Sequence, residues 1–312
     1  MRWIIALWRR LPVLVRAFVL AFVVLTIGTT VTALPLVGNL KLLPAVPWAL
    51  PATILVVWLF WRTFAGTGWP ASMQPLRDRI TRRGKLPSSM WVRLSLPILL
   101  SLLTMLCLRL LLPSLFPIQA PELPIDAGAY PTATLLGLAL SLAFSAGVVE
   151  EIAFRGYLQQ PLEEAYGIVP ALLLTGMAFW LAHVPKVGLG HLPFHLLASA
   201  LLGFVVYRTR SLAPAIIGHM AGDALLLPVY VFHKPASAWH LLTRRPVWAD
   251  PLAPSFGQKL QAVAQAIVAP SSIGEQGTQP FAVVAWLFLL SLGLTLISFK
   301  TLPASASKRG PS

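Results

Sequence analysis

The chain is expected to be an all-α polytopic membrane protein with about eight spanning helices. Of its 312 residues, 57% are hydrophobic and only 11% are charged. A soluble globular chain carries about a quarter charged residues, and this one could not cover a water-facing surface with so few. Its mean hydropathy is +0.76. The apolar residues also gather into runs of about 20, long enough to cross a hydrocarbon core roughly 30 Å thick.

Reading each run between polar or Pro/Gly breaks places spans at 12–33, 45–64, 92–113, 132–158, 168–185, 191–207, 212–232 and 281–299. The first follows a basic segment and ends among small residues. It can therefore also be read as a signal peptide, although its apolar run exceeds a usual signal core. The fifth and sixth are short and separated only by Lys186, Gly188 and Gly190, so a single re-entrant hairpin is the alternative.

Orientation follows from the Lys and Arg residues, which favour cytoplasmic connections. They collect before the first span (Arg2, Arg9, Arg10), in the 62–93 connection, after the sixth span (Arg208, Arg210) and after the last (Lys300, Lys308, Arg309). Eight spans put all four clusters on one side, which makes both termini cytoplasmic and the protein a multi-pass component of the cell (inner) membrane. The 114–131 loop, with Glu122 and Asp126, carries no Lys or Arg. The net charge of +14 is then topological, and no nucleic-acid partner is expected. The lone Cys107 excludes an intrachain disulfide and a C-x-x-C site.

Three regions follow from this layout. Residues 1–131 hold the first spans and the basic 62–93 connection, expected to lie along the anionic membrane surface. Residues 132–232 are the candidate catalytic core. Residues 233–312 comprise an external loop, with Trp239 and Trp248, and the final span. No internal repeat is visible.

Ionisable residues inside spans are costly and mark functional sites by default. They concentrate between Glu150 and Asp223; elsewhere only Arg16 and Arg109 interrupt the runs, and both can snorkel. In Glu150-Glu151-x-x-x-Arg155, Glu151 and Arg155 lie one helical turn apart and can pair. Glu150, rotated by about 100°, is left for other work. Phe179-x-x-x-His183 places a histidine near the end of the fifth span, where capping by a carbonyl is the bland reading. His191 and His195, also four apart, read as an interfacial pair; a zinc pair there lacks a visible third ligand. His219-x-x-x-Asp223 puts both side chains on one face, and a buried aspartate needs a partner. Ala221 and Gly222 between them allow close helix approach. Such acids and imidazoles could activate water and stabilise an oxyanion. Alternatively His183, His219, Glu150 and Asp223 could ligate a metal such as zinc.

These three motifs, in this order, resemble those of the CPBP family of intramembrane endopeptidases, which includes CAAX prenyl proteases and bacteriocin self-immunity proteins. The resemblance covers about residues 132–232. It implies that Glu150, assisted by His183, activates the attacking water, and that Glu151 and Arg155 hold the base in place. It further implies that His219 and Asp223 face the oxyanion and that Phe179 lines the site. The family has been described both as metallo- and as metal-independent glutamate proteases, so a divalent metal or no cofactor is compatible with it. The prenyl proteases carry Asn where this chain has Asp223. An ionised aspartate cannot donate to an oxyanion; protonated, it could.

The function expected is therefore endopeptidase cleavage of a membrane-associated peptide or protein, such as a pheromone or sorting signal. A non-catalytic immunity or peptide-binding protein is the alternative, and a proton-relaying transporter a third reading disfavoured by the absence of repeated halves.

Overall fold

In a computed structural model, residues 3, 7, 8, 10–82, 86–116, 129–232 and 279–302 are described. Arg2, Arg9, Glu122, Asp126, Trp239, Trp248, Lys308, Arg309 and the 233–278 segment lie outside the described residues, as do the readings that rest on them.

Each span read from the sequence coincides with a helix. The long ones are α1 (Val13–Leu42) and α2 (Ala49–Phe64), α4 (Ser88–Leu115) and α5 (Thr132–Glu151), α7 (Ile168–Val187), α8 (Leu192–Thr209), α9 (Ala213–Phe232) and α10 (Gln279–Lys300). A short helix α3 (Gln74–Thr81) lies in the basic connection. After α5 the helix continues through a π-helical segment, Ile152–Gln159, into α6 (Gln160–Tyr166). Six of these stretches are long and apolar enough to cross a membrane. The exceptions are α2, an apolar helix of 16 residues, and α9, whose side chains are described only as far as Leu225. The fifth and sixth spans are two helices, α7 and α8, that pack against each other. They are joined through Gly188, whose φ of +73° is open to glycine at little steric cost.

Local chemistry sets the turns. Asn39 is fully buried and ties the α1–α2 connection. Its amide donates to the carbonyls of Leu43 and Val46 at 2.9 and 2.8 Å, and its Oδ1 accepts the Ala49 N–H at 2.8 Å, satisfying an orphan donor at the start of α2. Thr134 Oγ1 donates to Pro44 O at 2.6 Å, docking the start of α5 on the same turn. Pro12, Pro87 and Pro131 immediately precede α1, α4 and α5.

The central core is built around the long α5–π–α6 rod. The rod packs against α1, α2, α7 and α9, and α4 packs against α10 and α8. Ala17, Ala21 and Val24 of α1 join Val57, Phe60, Val149, Phe154 and Leu158 in one buried cluster, which packs α1 into the bundle. All eight residues of the π segment are buried. Of its polar members, Gln159 donates to Gly203 O at 3.0 Å and Tyr157 OH donates to Phe64 O at 2.9 Å, while Gln159 Oε1 and the guanidinium nitrogens of Arg155 are buried with no hydrogen-bond partner among the described residues.

Part of the basic connection packs into the protein. Arg77 is fully buried and donates to the carbonyls of Thr63, Gly68 and Pro70 at 3.1, 2.6 and 3.0 Å. Arg82 and Arg210 both bind Glu163 of α6 at 2.7 Å, and Arg79 binds Glu164. Burial of the Arg82 guanidinium lowers its pKa, and the Glu163 carboxylate opposes that shift. Arg82 and Arg210 are also the two non-glycine residues of positive φ, 45° and 51°, among those described. Arg208 donates to Leu302 O. Three of the four basic clusters thus meet at one end of the bundle, as the charge pattern requires.

Candidate active site

Glu150 and Glu151 occupy the last turn of α5, where the backbone leaves α geometry. The Ile152 N–H reaches both Val148 O and Val149 O, and the following residues adopt the wider π turn. Such turns are rare and concentrate at functional sites. The two carboxylates diverge as their rotation around the helix requires.

Glu151 points into the protein and is fully buried. Its Oε2 lies 3.1 Å from Arg155 Nε, and its Oε1 accepts from His219 Nδ1 at 2.8 Å. The ion pair expected from spacing is therefore present. The bond to α9 was not legible, because it joins residues 68 positions apart. Arg155, itself at 0% exposure, also stacks its guanidinium 5.1 Å from the Phe179 ring centroid, a cation–π contact.

Glu150 points the other way, into a cavity of about 900 Å3 lined by residues of α1, α4, α5, α7, α8 and α9. His183 Nε2 lies 3.7 Å from its Oε2, and His219 Nε2 lies 3.9 Å from the same atom. Both separations exceed hydrogen-bond reach, but each suits a shared water. His183 Nδ1 is 2.7 Å from Phe179 O. A carbonyl can only accept, so Nδ1 donates to it and Nε2 is the ring nitrogen turned toward Glu150. The carbonyl cap proposed as the bland role of His183 thus exists, and it is the device that aims the ring. Asp223 Oδ2 is 3.7 Å from His219 Nε2, with its side chain 31% exposed. The six motif residues Glu150, Glu151, Arg155, His183, His219 and Asp223 therefore form one cluster, with Phe179 packed between both histidines and Arg155.

Two residues join this site against expectation. His195, read as part of an interfacial pair, is buried, lines the cavity and lies 4.7 Å from the His183 ring centroid. Its Nδ1 donates to His191 O at 2.9 Å. Arg109 turns into the same cavity and meets His191 instead of snorkelling. The only sequence signal for either was an ionisable group inside a span. Close approach of α9 also has a different cause from the one expected. At Gly222 an added Cβ would meet only Leu102 Cδ2, at 3.4 Å. At Gly147 of α5 it would come within 3.1 Å of Met220 N and 3.2 Å of Ile216 O. Gly147 is therefore the residue that admits α9.

The donor set His183, His219, Glu150 and Asp223 was the candidate metal site. Among the described residues, no three His, Cys, Asp or Glu side chains converge as a metal-holding group. Within the set, Glu150 Oε2 lies 3.7 and 3.9 Å from the two imidazole Nε2 atoms, and Asp223 Oδ2 lies 3.7 Å from His219 Nε2; the chemistry below is written for these groups and water.

Residues 132–225 match the family model for type II CAAX prenyl endopeptidases, Rce1-like. That region spans the three motifs and all seven residues discussed, and the match is consistent with a CPBP-family intramembrane protease. It implies a membrane-embedded hydrolase of the peptidase class acting on peptide substrates. No curated protein and no solved structure matches the chain.

Proposed function

We propose that the protein is a glutamate-type intramembrane endopeptidase that cleaves a membrane-associated peptide or protein. The observation that carries this is the placement of Glu150 Oε2 between His183 Nε2 and His219 Nε2, at 3.7 and 3.9 Å, on the wall of a cavity large enough for several residues of extended peptide. Peptide hydrolysis within a membrane needs a polar, water-holding space sealed by helices, and this cavity supplies one.

In this reading a water hydrogen-bonded to Glu150 and His183 attacks the scissile carbonyl carbon. Glu150 accepts the water proton as the C–O bond forms, and the carbonyl oxygen becomes an oxyanion. His219 is fixed by its Nδ1 bond to Glu151, so that Nε2 faces the cavity. Protonated there, it donates to the oxyanion, and Asp223 in its acid form supplies a second donor. Collapse of the tetrahedral intermediate breaks the C–N bond, and the proton held by Glu150 passes to the departing amine. Glu151 and Arg155 position His219 and the base without touching the substrate. Phe179 lines the site. With both termini cytoplasmic, the cavity reaches toward the outer face, because Val187 and His191 lie at the far ends of α7 and α8 from the ion pairs on Glu163.

The test is cleavage of a membrane-peptide library by purified protein in detergent. Glu150→Ala, His183→Ala and His219→Ala are assayed beside the parent, each with and without a metal chelator. Cutting by the parent alone, in both conditions, is the expected result. Chelator-sensitive cutting would overturn the glutamate mechanism. Peptide binding without cutting by any form would favour a non-catalytic peptide-binding protein.

A further inference from the structure

We infer that His195 is a positioning residue for His183, its ring holding the His183 imidazole at the angle that turns Nε2 toward Glu150; this rests on the endopeptidase reading above. Within its own helix His183 has one polar anchor, the bond from Nδ1 to Phe179 O at 2.7 Å. The torsion that turns an imidazole is soft. Because the ring is rigid, a turn that takes Nε2 off Glu150 also takes Nδ1 off the carbonyl. Misplacing a reacting group by about 1 Å can cost on the order of a hundredfold in rate. A side chain 21% exposed on a cavity wall therefore needs a second constraint.

Two rings supply it. The Phe179 centroid lies 4.7 Å from that of His183, with the planes tilted by 46°. The His195 centroid lies at the same 4.7 Å, with a tilt of 31°. Phe179 and His195 are themselves 5.6 Å apart, so the three rings close a triangle of mutual contacts, within the range of about 4.5–7 Å over which ring pairs attract. Phe179 stands on α7 with His183 and moves with it. His195 stands on α8, so its contact ties the angle of the His183 ring to a second helix. His195 is well held for this task. It is 5% exposed, its Nδ1 donates to His191 O at 2.9 Å, and the Phe194 ring meets it edge-on at 5.5 Å. The same device, a bond from Nδ1 to the carbonyl four residues back, thus sets both imidazoles on neighbouring helices.

The experiment follows imidazole N–H groups by NMR in the full-length protein, carrying isotope-labelled histidine, in detergent micelles. One signal is the Nδ1–H of His183, assigned by its loss in His183→Ala. The other is the Nδ1–H of His219, bonded to Glu151, which reports an intact core. His195→Ala should lose the first signal to exchange with water and keep the second; His195→Phe, which restores a ring, should keep both. Survival of the His183 signal in His195→Ala overturns the positioning role, as does its absence from the parent, its loss in His195→Phe, or loss of both signals together. On peptides that the parent cuts, His195→Ala should lower kcat about tenfold with KM within about twofold. Added to His183→Ala, the same change should alter turnover by less than about twofold; an unchanged kcat in the single variant, or an equal further loss in the double, also overturns the role. A parent that cuts nothing sinks the endopeptidase reading, and the spectra alone then decide whether His195 holds the ring.

Discussion

Replacing Glu151 with glutamine removes a charge while keeping the shape of the side chain. The amide oxygen can still accept from His219 Nδ1, so the 2.8 Å bond to α9 survives in neutral form, and His219 stays aimed at the cavity. What is lost is the counter-charge of Arg155, whose side chain is fully buried. Breaking a buried ion pair by removing one partner costs about 3–5 kcal/mol; the cation–π contact with Phe179 is common to parent and variant and leaves the lower end of that range as the expectation. A loss of about 3 kcal/mol is therefore expected, more than a hundredfold in the unfolding constant. Glu150→Gln should behave in the opposite way. Its side chain sits at the cavity edge, so stability should change by less than about 1 kcal/mol, while turnover falls about a thousandfold with loss of the base. Denaturant unfolding in mixed micelles, followed by tryptophan fluorescence, measures the first quantity, and peptide turnover the second. Adding Arg155→Met to Glu151→Gln should recover most of the lost stability, because the uncompensated buried charge is removed. If Glu151→Gln unfolds at the same denaturant concentration as the parent, the carboxylate is not the counter-charge of Arg155, and the assignment of positioning roles fails.

Four other outcomes are expected. His183→Ala should fold normally and lose at least a hundredfold in kcat, the usual weight of a positioned acid–base group; turnover within threefold of the parent would remove it from the mechanism. Asp223→Asn, which makes a permanent donor, should retain turnover within about tenfold, whereas Asp223→Ala should lose about a hundredfold; equal activity of the two would show that no donor is needed there. Glu163→Gln strands Arg82 and Arg210 side by side and should cost about 2 kcal/mol of unfolding free energy, while Glu164→Gln, which weakens the ion pair with the exposed Arg79 and leaves an amide that can still accept from Gln160, should cost less than about 1 kcal/mol. Gly147→Val should push α9 away, because even a Cβ there comes within 3.1–3.2 Å of its backbone; a fall in turnover with helix content unchanged by circular dichroism is the expected readout.

What could be read from the sequence was whatever depends on local periodicity or on solvent. The eight helical segments were visible because apolar runs of membrane length are hard to disguise. Glu150, His183, His219 and Asp223 stood out because an ionisable group in such a run needs a reason. The Glu151–Arg155 pair followed from one-turn spacing alone. Contacts decided between distant segments were not visible: the Glu151–His219 bond, the burial of His195 beside His183, and the reach of Arg109 to His191. The burial of Arg77 in the 62–93 connection was hidden for a related reason. Composition reports charge but not the carbonyl acceptors, at Thr63, Gly68 and Pro70, that draw Arg77 inward. Small residues are similarly ambiguous. Gly147 and Gly222 look alike in the sequence, and only the facing backbone shows which one a neighbour presses against.

The π segment has a consequence for how this chain can change over evolutionary time. A π turn holds one more residue than the α turn it replaces, so Ile152–Gln159 acts as an angular offset between the two halves of one continuous rod. The half before it aims Glu150 at the cavity; its own last residue, Gln159, reaches Gly203, and the half after it aims Glu163 at Arg82 and Arg210. Deleting a single residue here would return the rod to a commoner geometry and rotate the later half by about 100°. Every one of those downstream partners would then face the wrong neighbour. Substitutions along the segment can be absorbed one at a time, but insertions and deletions cannot, so its length should drift far less than that of the loops on either side.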